Sequence, residues 1–91
     1  MSRKRLDAYV HGFVQGVGFR YFIMRNALKL NLTGFAKNLS NGDVQVVAEG
    51  EEKNLIKLLG ILKRGNSFSH VENVDYAFKE PKGNLSSFET Y

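Results

Sequence analysis

Apolar and polar positions alternate between Leu6 and Gln15. Leu6, Ala8, Val10 and Val14 fall on one side, and Asp7, Tyr9, His11, Phe13 and Gln15 on the other. Side chains of a strand point to opposite faces in turn, so this stretch predicts a strand with one buried face. The period then lengthens. Phe19, Phe22, Ile23, Ala27 and Leu30 recur at spacings of three and four, with Arg25, Asn26 and Lys29 between them, which predicts an amphipathic helix over Arg20 to Leu30. Asn31 stands where a left-handed cap is expected. Leu32 to Asn38 and Val44 to Glu49 read as two further strands. Ser40-Asn41-Gly42-Asp43 between them carries the Asn-Gly pair of a tight antiparallel hairpin.

Gly50 is expected to end the third strand. Leu55, Leu58, Leu59 and Leu62 then mark the apolar stripe of a second helix. Glu51 and Glu52 in its first turn and Lys63 and Arg64 in its last suit the helix dipole, and Gly65 is placed to cap it. Gly60 inside this helix costs about 1 kcal/mol relative to alanine, with close packing on the sheet as the candidate reason. Val71 to Phe78 predicts a fourth strand. After a turn at Pro81-Lys82-Gly83-Asn84, Leu85 to Tyr91 predicts a short fifth.

Strand, helix, strand, strand, helix, strand, joined by right-handed crossovers, gives an α+β fold: a ferredoxin-like βαββαβ sandwich, with an antiparallel sheet and two helices on one face. In that arrangement the first and second strands run the same way with an antiparallel strand between them. The end of the second strand, at Asn38, therefore meets the loop that follows the first.

Ninety-one residues are expected to form a single domain. The chain has no cysteine and only two histidines, His11 and His70. That composition offers no disulfide, no thiol nucleophile and no Cys/His metal centre, and no cofactor is expected. His11 reads most simply as a half-exposed sheet residue. No segment approaches a membrane span or a secretory signal, so a cytoplasmic location is expected. The formal charge of +4 favours an anionic ligand only weakly, because the charges are dispersed apart from Arg3-Lys4-Arg5, which reads as a solvated tail.

The loop between the first strand and first helix, Gly12 to Arg20, is where chemistry is expected. Its glycines permit backbone conformations in which successive N–H groups of Gln15, Gly16, Val17, Gly18 and Phe19 converge, next to the unpartnered N–H groups and positive dipole end of the helix. Arg20 adds a bidentate guanidinium. With the carboxamide of Asn38 at its rim, such a cradle suits in-line transfer of a phosphoryl group from a carboxylate to water, where charge stabilisation and placement of the water matter most.

At these residues the chain resembles the acylphosphatase family. The loop Gly-x-Val-Gln-Gly-Val-x-Phe-Arg is met at every fixed position from Gly12 to Arg20, and a second motif by Gly34, Phe35, Ala36, Asn38, Gly42, Val44 and Gly50. The resemblance implies a ferredoxin-like fold and metal-independent hydrolysis of an acyl phosphate to a carboxylate and inorganic phosphate, which would also be a competitive inhibitor. By the resemblance Arg20 binds the phosphate, Asn38 orients the water, Gln15 to Phe19 form the amide cradle, and the substrate phosphate accepts the water's proton. Asn31 and Asn66 stand where glycine and proline are usual, and are expected to affect turn rigidity without touching the site. A monomer is expected, with neither membrane nor nucleic acid as partner.

Two alternatives belong to other classes. A non-catalytic anion-binding module would keep the cradle without turnover. An RNA-binding module of the same topology would use Tyr9, Phe13 and Phe35 on the open sheet face, but the third strand, Gly-Asp-Val-Gln-Val-Val-Ala-Glu, lacks the stacking aromatics and basic residue that such modules use.

Overall fold

The structure, a computed structural model, describes residues 2–91; Met1 lies outside them. The elements are β1 (Arg3–Phe13), α1 (Phe19–Lys29), β2 (Thr33–Asn38), β3 (Val44–Glu51), α2 (Glu52–Arg64), β4 (His70–Lys79) and β5 (Phe88–Thr90). The sheet order is β4-β1-β3-β2-β5. The ferredoxin-like α+β arrangement holds, with α1 packed over β2 and β5 and α2 over β1, β3 and β4. Alternation decides which side faces the helices. Leu6, Ala8, Val10, Val44, Val46 and Ala48 are buried against Phe19, Ile23, Ala27 and the leucine stripe of α2.

Several expectations need correction. The sheet is mixed rather than wholly antiparallel, because β5 pairs parallel with β2 through Gly34–Phe88, Phe35–Glu89 and Ala36–Thr90. The segment after β4 crosses from one edge of the sheet to the other, so its strand enters in the same direction as β2. Arg3-Lys4-Arg5 is not a solvated tail but part of β1, paired with Glu51, Gly50 and Glu49 of β3. Gly50 accordingly lies inside β3 and does not end it. A Cβ at Gly50 would stand 2.4 Å from Leu32 Cδ2, so its lack of a side chain serves packing.

The β2–β3 connection is wider than a two-residue Asn-Gly hairpin. Leu39 N–H donates to Asp43 O, and Gly42 N–H to Leu39 O. A type I′ turn needs positive φ at both central residues; Gly42 has it at 98°, but Asn41 does not. Asn41 instead accepts from Asp43 N–H through its side chain. Asn31 does take the left-handed cap, at φ 57°. Gly60 has no sheet contact to explain it, since a Cβ there would meet only the Arg64 guanidinium, at 3.6 Å.

Where the open sheet face lacks helices, charge covers it. Arg5 bonds Asp7 at 2.9 Å and Glu49 at 3.2 Å, and Lys79 bonds Asp7 at 2.9 Å. Glu49 is 1% exposed and also accepts the backbone N–H groups of Lys82 and Gly83. Burial alone would raise its pKa; the two amides and Arg5 outweigh that and hold the carboxyl below its ordinary value. The crossing segment is thus tied to the middle of the sheet before it reaches β5.

Candidate active site

The loop leaving β1 ends in Gly18, which precedes α1 in the left-handed conformation at φ 72°; Gly16 is similar at φ 74°. Open space surrounds both, so left-handed backbone rather than crowding requires glycine at these positions. Gly12 serves another purpose. A Cβ there would lie 2.2 Å from His70 O, at the point where the β1–β4 register shifts. It lets the edge strand approach and contributes nothing to the cradle.

The first intrahelical bond of α1 runs from Phe22 N–H to Gly18 O. The N–H groups of Phe19, Arg20 and Tyr21 therefore precede the helix ladder. Among the described residues, no backbone carbonyl outside the regular elements accepts from Gly16, Val17 or Gly18. Donors left free in this way at a helix N-terminus are suited to an anion.

Gly16, Gly18, Phe19, Arg20 and Asn38 line one cleft of roughly 160 Å³, together with Val14, Tyr21 and Thr90. The expected meeting of glycine loop, Arg20 and Asn38 is therefore present. Phe19 is core, 1% exposed, so its backbone rather than its ring is what it offers the cleft. Val17 is partly buried against the core. Gln15 does not line the cleft; its Nε2 donates to Leu39 O at 2.7 Å and Asp43 O at 2.9 Å, fastening the loop to the β2–β3 turn.

Arg20 is held from an unexpected direction. Its Nη1 donates to the backbone oxygen of Tyr91 at 2.7 Å, and the same oxygen accepts Asn38 N–H at 3.1 Å. One atom beyond β5 thus registers both residues. No sequence signal marks this tie, because the partners are 71 positions apart. Among the described residues, the Oδ1 of Asn38 is buried without a hydrogen-bond partner. The expectation that Asn66 stays clear of the site is overturned: Asn66 Nδ2 donates to Val17 O at 3.1 Å and steadies the loop from behind. A polar residue after Gly65 was the available signal.

His11 stands apart from the cleft. Its Nδ1 lies 2.9 Å from Asp43 and its Nε2 2.8 Å from Asp75. The bond to Asp75, then that to Asp43, raises its pKa, so it serves as a clasp on the open face.

A sequence model of the acylphosphatase family matches residues 6–90. The chain belongs to the acylphosphatase family. An acylphosphatase of Deinococcus radiodurans is 48% identical over 87 residues, spanning 96% of this chain and 99% of the relative. The crystal structure of acylphosphatase from Bacillus subtilis superposes with a TM-score of 0.93 at 34% identity, covering 97% of this chain and 98% of that one. Full-length HypF, in a phosphate- and nucleotide-bound form, matches with a TM-score of 0.89 at 30% identity; it covers 99% of this chain but only 12% of that protein. The acylphosphatase fold thus occurs here at the length of the Deinococcus and Bacillus proteins. No helix among the described residues is long and apolar enough to cross a membrane.

Proposed function

We propose that the chain hydrolyses acyl phosphates by in-line attack of water, with Arg20 and the backbone amides of Gly16 to Phe19 binding the phosphoryl oxygens and Asn38 placing the water. The observation that carries this reading is the Asn38 carboxamide. It lines the same cleft as Arg20, and among the described residues its buried Oδ1 has no hydrogen-bond partner. Its oxygen can accept from a water and its nitrogen can donate, so one side chain can fix a water's position. The water oxygen bonds to phosphorus as the bond to the bridging carboxylate oxygen breaks. The bond's electron pair leaves on the carboxylate, and the water's proton passes to a phosphoryl oxygen. A carboxylate with an ordinary pKa near 4 leaves without a general acid. Charge gathered on the equatorial oxygens meets guanidinium and amide donors that are already in place.

The partner is a small acyl phosphate, with inorganic phosphate as product and competitive inhibitor, and the chain acts as a cytoplasmic monomer in a single domain. The open sheet face does not favour RNA binding. Phe35 packs edge-on against Tyr91, centroids 5.7 Å apart, and the Arg5, Asp7, Glu49 and Lys79 network occupies the middle of the face. Purified protein should hydrolyse acetyl phosphate at the same rate with and without EDTA, and inorganic phosphate should inhibit competitively. No turnover would leave the anion-binding module as the reading, and a rate abolished by EDTA would remove the metal-free scheme.

A further inference from the structure

A second groove, roughly 430 Å³ in volume, adjoins the phosphoryl cleft and shares Gly18 and Tyr21 with it. Its other walls are the outer side of α1 and the segment after α2, including Phe22, Arg25, Lys29 and Phe68. The phosphoryl chemistry uses none of these four side chains. Phe68 is 75% and Tyr21 60% exposed, so both offer apolar surface to the groove. Among the described residues, neither Arg25 nor Lys29 forms an ion pair.

Tyr21, Arg25 and Lys29 are spaced four apart, so they form one row along α1 that leads away from its N-terminus. Arg25 lies about 6 Å and Lys29 about 12 Å further along the axis than Tyr21. The Arg25 guanidinium is drawn back over the Tyr21 ring, 5.8 Å from its centroid, towards the residue that both clefts share. A molecule whose phosphoryl group sits in the glycine cradle can extend past Tyr21 into the adjoining groove, towards a positive charge one turn on.

The geometry points to this groove as the subsite for the acyl part of the substrate, selecting acyl phosphates whose acyl group ends in a second anion, with Arg25 as the specificity-determining residue. The assignment rests on the acyl phosphate reading above. Tyr21 and Phe68 cover the aliphatic stem and Arg25 meets the terminal carboxylate. Lys29 extends the same recognition to longer acyl groups.

The test is the ratio of kcat/KM for succinyl phosphate to that for acetyl phosphate, measured in the wild type, Arg25→Ala and Arg25→Glu. The substrates differ in the terminal carboxylate and its short stem. The wild type should favour succinyl phosphate. One exposed charge pair supports a fall of about fivefold in the ratio for Arg25→Ala, and Arg25→Glu should lower it further. The difference should shrink as salt is added. An unchanged ratio in both variants, or an equal loss on both substrates, would overturn the assignment while leaving acyl phosphate hydrolysis standing. If neither substrate is turned over by the wild type, the functional reading itself fails. Circular dichroism of each variant reports whether α1 is intact, and the two substitutions at one exposed position guard against a single unstable variant.

Discussion

Among the described residues, two buried side-chain polar atoms have no protein partner, Asn38 Oδ1 and Asn66 Oδ1. Leaving such an atom unpaired costs roughly 1–3 kcal/mol. Asn38 has a use for its freedom in the proposed scheme; the Asn66 oxygen has none that the structure explains. Replacing Asn38 by alanine removes the group that places water while leaving Arg20 and the loop amides. Turnover of acetyl phosphate should fall on the order of 100-fold, as for other single positioned transition-state groups, with the inhibition constant of inorganic phosphate little changed. Comparable losses in both quantities would mean instead that Asn38 binds phosphate. Arg20 was legible as a clamp because it directly follows the glycine loop. Its tether to Tyr91 was not, since hydrogen bonds to backbone oxygens leave no trace in residue type.

At the scale of elements, the sequence pattern located both helices and all five strands, and its errors in bounds and direction have separate physical causes. β1 begins earlier than the alternation suggests, because its basic residues pair with β3 and Arg5 finds carboxylates on the open face rather than apolar neighbours. β5 is Phe88–Thr90, shorter than the Leu85 to Tyr91 expected, and its direction depends on a crossing that no local pattern encodes. The turn at residues 39–43 shows the same limit. Asn-Gly is compatible with more than one geometry, and the Asn41 side chain selects the wider one by bonding Asp43 N–H. Gly60 remains an element without tertiary reason. Gly60→Ala should therefore stabilise the protein by about 1 kcal/mol, the difference in helix propensity, read as a higher urea midpoint with an unchanged slope. A lower midpoint would reveal crowding beside α2.

For the molecule as a whole, Glu49 links regions that sequence separates. It joins β3 to Arg5 of β1 and to the segment that carries the chain across to β5. Its carboxyl is held below the ordinary carboxylate value, so the stability it contributes is present above the unfolded-state pKa and is lost as pH falls through the folded one. Glu49→Gln should cost about 2 kcal/mol near neutral pH, the scale of hydrogen bonds to a charged group. The gap from wild type should close below that folded-state pKa, where both side chains are neutral. A gap that persists unchanged into acid would show that shape, not charge, matters at this position. Asn38 could be placed near the glycine loop from strand order alone, whereas this long-range scaffold behind it could not.

The bond from Arg20 to Tyr91 also bears on the order in which the protein becomes competent during synthesis. Translation delivers the glycine loop, Arg20 and Asn38 early, and these can meet as soon as β1, β2 and β3 pair. The oxygen that registers Arg20 and Asn38 comes 71 residues after Arg20. A growing chain that stops short of it has the parts of the cleft but lacks the atom that sets them in register. The atom that registers the cleft therefore leaves the ribosome well after the loop whose arginine it holds.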